Sequence, residues 1–104
     1  MSYYTTYSLS VETLDDEQRN AVDRELSEVG EIEPWGDGWG GCVKWYDHEN
    51  DLRRISAIFP DALFTLDGEG EASDDIWREY YKNGKMQRCP ARIEYDEYDE
   101  NKLT

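Results

Sequence analysis

The chain has 104 residues, with 25 Asp and Glu against 11 Lys and Arg and a formal charge of −14. That length suits one domain with one modest core and excludes a catalytic protein carrying its own cofactor domain. The aromatic content of 13% separates it from disordered acidic chains, and the negative charge disfavours direct binding to nucleic acid.

Tyr3 to Val11 alternates, with Tyr3, Thr5, Tyr7, Leu9 and Val11 on one face, which predicts a strand with its odd positions inward. Thr13 is the expected N-cap of a helix over about 14–29, followed by Asp15, Asp16 and Glu17 near the positive end of its dipole. Leu14, Ala21, Val22, Leu26 and Val29 fall on one stripe of that helix, and Gly30 suits its C-terminal cap. Residues 30–41, with five glycines, one proline and two tryptophans, read as a loop. Cys42 to Tyr46 reads as a short strand, and Asp47 as the N-cap of a second helix that buries Leu52, Ile55, Ser56 and Phe59 and stops before Pro60.

Ala62 to Leu66 is mostly apolar and reads as a central strand. Gly68 to Asp75 reads as an acidic, glycine-rich loop. Segments 76–82 and 85–95 flank Asn83-Gly84, a strong signal for a type I′ hairpin. A two-residue turn sets Lys82 opposite Lys85, Tyr81 opposite Met86, Tyr80 opposite Gln87 and Glu79 opposite Arg88, the last as an ion pair. Ile76, Tyr80, Cys89, Ala91 and Ile93 read as the core face of that hairpin, leaving Trp77, Glu79, Tyr81, Met86 and Arg88 on a face that is open if helices cover only one side. The acidic end, about 96–104, is expected to be solvated. The order β-α-β-α-β-β-β predicts a single ferredoxin-like α+β domain over 1–104, with one mainly antiparallel sheet and two helices on one face.

No apolar run reaches the ~18 residues of a membrane span, and the N-terminus lacks a basic then apolar signal segment, so a cytoplasmic protein is expected. Cys42 and Cys89 read as small buried thiols of a reducing compartment, with a disulfide left open because two strands of one sheet could bring them together.

Lys-Trp-Tyr-Asp (44–47), Phe-Pro-Asp-Ala-Leu-Phe-Thr-Leu (59–66), Gly-Glu-Gly-Glu (68–71), Asp-Ile-Trp (75–77) and Tyr-Tyr-Lys-Asn-Gly-Lys (80–85) carry a resemblance. Over roughly residues 40–95 the chain resembles small proteins of phages and mobile elements near the YubB-like ferredoxin-fold group. The resemblance implies a ferredoxin-like sheet and a bacterial host cell infected by phage or carrying prophage. It implies no reaction and does not extend to the glycine- and tryptophan-rich segment 34–41.

No GxSxG, P-loop or HExxH motif is present, so no catalytic residue, cofactor or metal is expected. The one histidine, His48, sits in the first turn of the second helix, where the dipole disfavours a proton, and has no evident partner. Asp67, Glu69, Glu71, Asp74 and Asp75 crowd one segment, but their spacing is not that of an EF-hand calcium loop.

Charge is the more informative feature. It is −7 over residues 12–33, −1 over 34–60, −6 over 61–79 and −4 over 94–104, against +4 over 80–93. Soluble designs settle at magnitudes of about 2–8, and the excess here favours a basic partner reached by steered association. Helical acids three or four apart stand ~5–6 Å from one another, close to the phosphate spacing. The expectation is a phage-type inhibitor that blocks the nucleic-acid groove of a basic bacterial protein, such as a CRISPR effector or restriction nuclease. Asp15, Asp16 and Asp23 with Asp67, Glu69, Glu71, Asp74 and Asp75 are its expected acidic contacts, and Trp35, Trp39, Trp77 and Tyr81 its anchors. The alternative is a structural or regulatory adaptor that works as a homo-oligomer through the hairpin.

Overall fold

In the computed structural model, which describes residues 3–12 and 14–104, the alternation at the start of the chain becomes β1 (Thr5–Glu12), with Thr5, Tyr7 and Leu9 buried. Tyr3, expected on the inward face, is exposed and precedes the strand. Helix α1 (Asp16–Val29) buries Val22 and Leu26, with Leu14, Ala21 and Val29 packed alongside. Thr13, the expected N-cap, lies outside the described residues. Asp15 takes that role: its carboxylate accepts from the Gln18 N–H at 2.8 Å, and Gln18 Oε1 accepts from the Asp15 N–H. Gly30 ends the helix at φ 76°, a left-handed conformation that carries no Cβ penalty in glycine.

Residues 30–41 are not a loop. β2 (Glu33–Trp35) and β3 (Gly38–Val43) form a hairpin, and the glycines permit close approach: a Cβ on Gly38 would collide with the Leu9 carbonyl oxygen. The strand expected at 42–46 therefore starts earlier and ends at Val43, leaving Trp45 and Tyr46 in the connection to α2 (His48–Ile58). Asp47 precedes α2 as expected, but its carboxylate accepts from Asn50 Nδ2 and not from a helix N–H. Leu52, Ile55, Ser56 and Phe59 are buried as their spacing requires.

β4 (Leu63–Gly70) runs past the expected Leu66 and absorbs Gly68 and Gly70. The hairpin of β5 (Ile76–Lys82) and β6 (Lys85–Pro90) has the expected register, from Lys82 opposite Lys85 to Glu79 opposite Arg88. Its turn residues, Asn83 (φ 50°) and Gly84 (φ 78°), have the positive φ values of a type I′ turn. β6 stops at Pro90, short of the expected residue 95.

The result is an α+β protein with one open, antiparallel six-stranded sheet, in the order β2-β3-β1-β4-β5-β6, and two helices, compatible with a ferredoxin-like arrangement. The extra β2 adds a strand to the expected order. Both helices contribute to one core with Leu9, Trp39, Phe64, Leu66 and Tyr81.

The hairpin's core face is the reverse of the expected one. Phe64 pairs with Tyr81 and Leu66 with Glu79, so Tyr81 and Glu79 share the buried face. Ile76 and Cys89 belong to the helix-free face, where Ile76 is exposed. Glu79 and Arg88 neutralise one another, which lets a charged pair stand on the core side.

Cys42 is exposed and Cys89 half-buried; both are free thiols. They sit on β3 and β6, four strand steps or about 19 Å apart at ~4.8 Å per step.

Gly68 gives a direct check of the packing, since a Cβ there would overlap the Trp77 indole. Gly68→Ala is expected to lower stability by about 1–3 kcal/mol in chemical denaturation, with a shift in tryptophan emission as Trp77 is displaced.

Candidate functional site

Four residues from two distant segments meet beneath the start of α2. Glu79 on β5 is 1% exposed. Its Oε1 accepts from the Tyr81 hydroxyl at 2.6 Å, and its Oε2 accepts from Arg88 Nε at 2.6 Å. A second Arg88 nitrogen reaches Oε2 at 2.6 Å and Glu49 Oε1 at 3.4 Å. His48 Nε2 lies 3.0 Å from Glu79 Oε1; it is buried and has no aligned hydrogen bond, so the contact is an ion pair by distance.

The other imidazole nitrogen, Nδ1, lies 3.0 Å from the Trp45 carbonyl oxygen, which also accepts from the Tyr7 hydroxyl at 3.0 Å. Both ring nitrogens thus face acceptors. Only the imidazolium carries a proton on both, so a doubly protonated His48 matches the acceptor on Nδ1 and the carboxylate charge beside Nε2. Its ring stacks on Trp77 at 5.2 Å and 16°, with Tyr7 and Trp45 at 5.6 and 6.2 Å, and an indole face favours a cation. The sequence alone leads to a neutral His48 without a partner; the structure gives it Glu79, 31 residues away.

Burial opposes charge on His48, but its contacts to Glu79 and the Trp45 carbonyl outweigh this and raise its pKa above the usual 6.5. Burial also opposes charge on Glu79, yet His48, Tyr81 and Arg88 bring its pKa down to about 2. The Tyr81 hydroxyl is pushed well above its ordinary value by burial and by Glu79. A carboxylate held this acidic is a poor proton acceptor near neutrality. An open cleft of about 460 Å³ lies over it, with Tyr3, Tyr46, Asp74 and Asp75 among its walls.

The expected contact residues divide into those held by the fold and those left free. Asp15 caps α1, and Asp23 accepts from Trp39 Nε1 at 2.9 Å. Asp67 pairs with Arg78 at 2.6 and 3.1 Å, Glu71 accepts from the Tyr4 N–H, and Asp75 accepts from the Tyr3 hydroxyl. Asp16, Glu69 and Asp74 are exposed. The acids do not form one patch: Asp15 and Asp16 follow the C-terminal end of β1, while the turn at 71–75 packs at its N-terminal end, about 25 Å away at ~3.3 Å per residue.

Among the expected anchors, Trp35 is 77% exposed and lies on the helix-free face. Trp39 is 2% exposed on the opposite face, with Arg19 over its ring at 4.7 Å. Trp77 is half-buried, and Tyr81 is fully buried and unavailable to a partner. The basic character of 80–93 is reduced too, because Arg88 belongs to Glu79 and Glu49. Among the described residues, no group of three or more His, Cys, Asp or Glu is placed to hold a metal, and no helix is long and apolar enough to cross a membrane. No protein-family model, curated protein or solved structure matches the chain.

The two shifted groups predict a bell-shaped contribution to stability. His48, raised when folded, stabilises fully below pH 6.5, and that share is lost as pH rises through its folded pKa. Glu79, lowered when folded, stabilises fully above pH 4.5, and that share is lost as pH falls toward about 2. Thermal melts of the native chain minus those of Glu79→Gln should differ most between pH 4.5 and 6.5. The substitution is expected to cost roughly 2–4 kcal/mol there, less than in a fully enclosed triad because Arg88 reaches solvent.

Proposed function

We propose that this chain is a non-catalytic, phage-type acidic binding protein that inhibits a basic nucleic-acid-handling bacterial protein. A CRISPR effector or a restriction nuclease is the type of target, and carboxylates standing in for phosphates occlude its nucleic-acid site. The observation that carries the reading is the charge of −14, and five of the eleven Lys and Arg, namely Arg53, Arg54, Arg78, Arg88 and Lys102, are in ion pairs with acids of this chain. Exposed Asp16, Glu17, Glu69 and Asp74 are left facing solvent from two ends of the sheet. Such a surface attracts a basic groove at long range and repels nucleic acid itself.

We read β1-α1-β2-β3-α2-β4 as a ferredoxin-like unit extended by the β5–β6 hairpin, in keeping with the phage-protein resemblance over 40–95. That resemblance also motivates placing the protein in the bacterial cytoplasm. Of the four expected anchors, Trp35 is the one left exposed to reach a partner. A homo-oligomeric adaptor is the second reading, favoured by exposed Ile93, Tyr95, Tyr98 and Leu103 beyond β6.

Acids that hold the fold are poor probes of this idea, so the test uses Asp16→Asn with Glu17→Gln at one end and Glu69→Gln with Asp74→Asn at the other. Affinity capture from bacterial lysate at low salt should retain a nucleic-acid-binding protein. The purified target should lose its DNA complex in a mobility-shift assay when the native chain is added, and each double variant should inhibit about tenfold less well. Capture without any nucleic-acid-binding protein, or inhibition indifferent to both double variants, overturns the proposal.

A further inference from the structure

The two edges of the sheet are unlike. β2 is three residues long and contains Pro34, whereas β6 offers six residues on its outer side. In a two-residue hairpin the closing pair, Lys82 and Lys85, exchanges hydrogen bonds, so odd residues of β6 bond inward to β5. The Ala91 N–H continues that pattern, donating to the Ile76 carbonyl at 3.0 Å. Met86 and Arg88 therefore turn their N–H and C=O groups outward. Pro90, which has no N–H, occupies an outward position as well.

Beyond Pro90 the chain leaves the sheet. Residues 91–104 are exposed throughout, with Ile93 58%, Tyr95 88% and Tyr98 78% exposed, and only a short 3-10 turn at Glu100–Lys102. The radius of gyration, 16.5 Å, exceeds the ~13 Å of a compact domain of this length. In the exposed arm, apolar Ile93 and Tyr95 alternate with acidic Glu94 and Asp96, the period of a strand.

We propose that the arm of one copy adds as a strand to the outer edge of β6 in a second copy, reciprocally about a two-fold axis. An antiparallel two-fold pairing keeps each sheet face continuous, so opposed residue numbers share parity and the axis passes through one residue. With the axis at Ala91, Glu97 stands opposite Lys85, Glu94 opposite Arg88, Tyr95 opposite Gln87 and Ile93 opposite Cys89. Moving the axis to Pro90 sets Arg92 against Arg88; moving it to Arg92 sets that residue against its own copy. Like charges directly opposed are destabilising, and the Ala91 register avoids both clashes while making two ion pairs on each side. Its ladder uses the outward groups of Met86 and Arg88, bonded to Asp96 and Glu94.

A second observation points to the same occupant. Lys82 and Lys85 face one another across the hairpin, and neither makes an ion pair with an acid of its own chain among the described residues. Glu97 of a second copy, next in that row, supplies the missing anion. The lysines and Pro90 would turn away most strands at this edge, and an acidic arm is the exception.

Sedimentation velocity on the full-length chain across the micromolar range tests the pairing, with circular dichroism confirming that each variant is folded. The native chain is expected to dimerise. Lys85→Glu and Glu97→Lys should each raise the dimer dissociation constant about tenfold or more, and Asp96→Pro, which removes a ladder N–H from the arm, should do the same. Combining Lys85→Glu with Glu97→Lys should restore the dimer. A native chain that stays monomeric, single variants that dimerise as the native chain does, or a charge swap without recovery would each overturn the proposal.

Discussion

The structure is organised around one carboxylate placed where water does not reach. Glu79 lies on the core face between Trp77 and Tyr81, and an uncompensated charge there would be severely unfavourable. The fold answers with two donors and one ion-pair partner from separate places: Tyr81 two residues on, Arg88 across the hairpin and His48 from the start of α2. Because His48 comes from the other half of the chain, satisfying Glu79 requires α2 to dock on the hairpin. The charge therefore specifies the arrangement of elements as much as it stabilises them.

Around this centre the aromatic residues take complementary roles. Trp77 lies against Gly68 on one side and stacks on His48, while Tyr7 and the Trp45 carbonyl close the site. Trp45 is fixed in turn by its Nε1 donating to Asp51 at 2.8 Å, and Trp39 by its Nε1 donating to Asp23. Several acids of a strongly negative chain are thus internal acceptors for aromatic N–H and O–H groups. The remainder define the outward field on which association with a basic partner rests.

How much of this was legible depended on whether the deciding contacts were local. The helices followed from the spacing of Val22 and Leu26 and of Leu52, Ile55 and Phe59, and the β5–β6 register from Asn83-Gly84. The β2–β3 hairpin was hidden because its glycines serve close approach to β1, which composition cannot distinguish from a flexible loop. The core face of β5 is reversed from the expected one because a Glu79–Arg88 pair reads as a surface feature, and the burial of Glu79 also depends on His48, which comes from a distant segment. The partner of His48 had no local signal. Glu79 did have one: a lone acid flanked by aromatics at both alternate positions, Trp77 and Tyr81, marks a charge the core must neutralise.

An imidazolium at His48, held between Glu79 and the Trp45 carbonyl, is directly observable because it is the one histidine in the chain. Nitrogen-15 NMR of the imidazole across a pH titration reads both ring nitrogens. Both are expected to carry protons at pH 6.5, with the ring titrating above that value. A ring that is neutral at pH 6.5, titrating below it, would mean that Glu79 and the Trp45 carbonyl do not hold a charged imidazole.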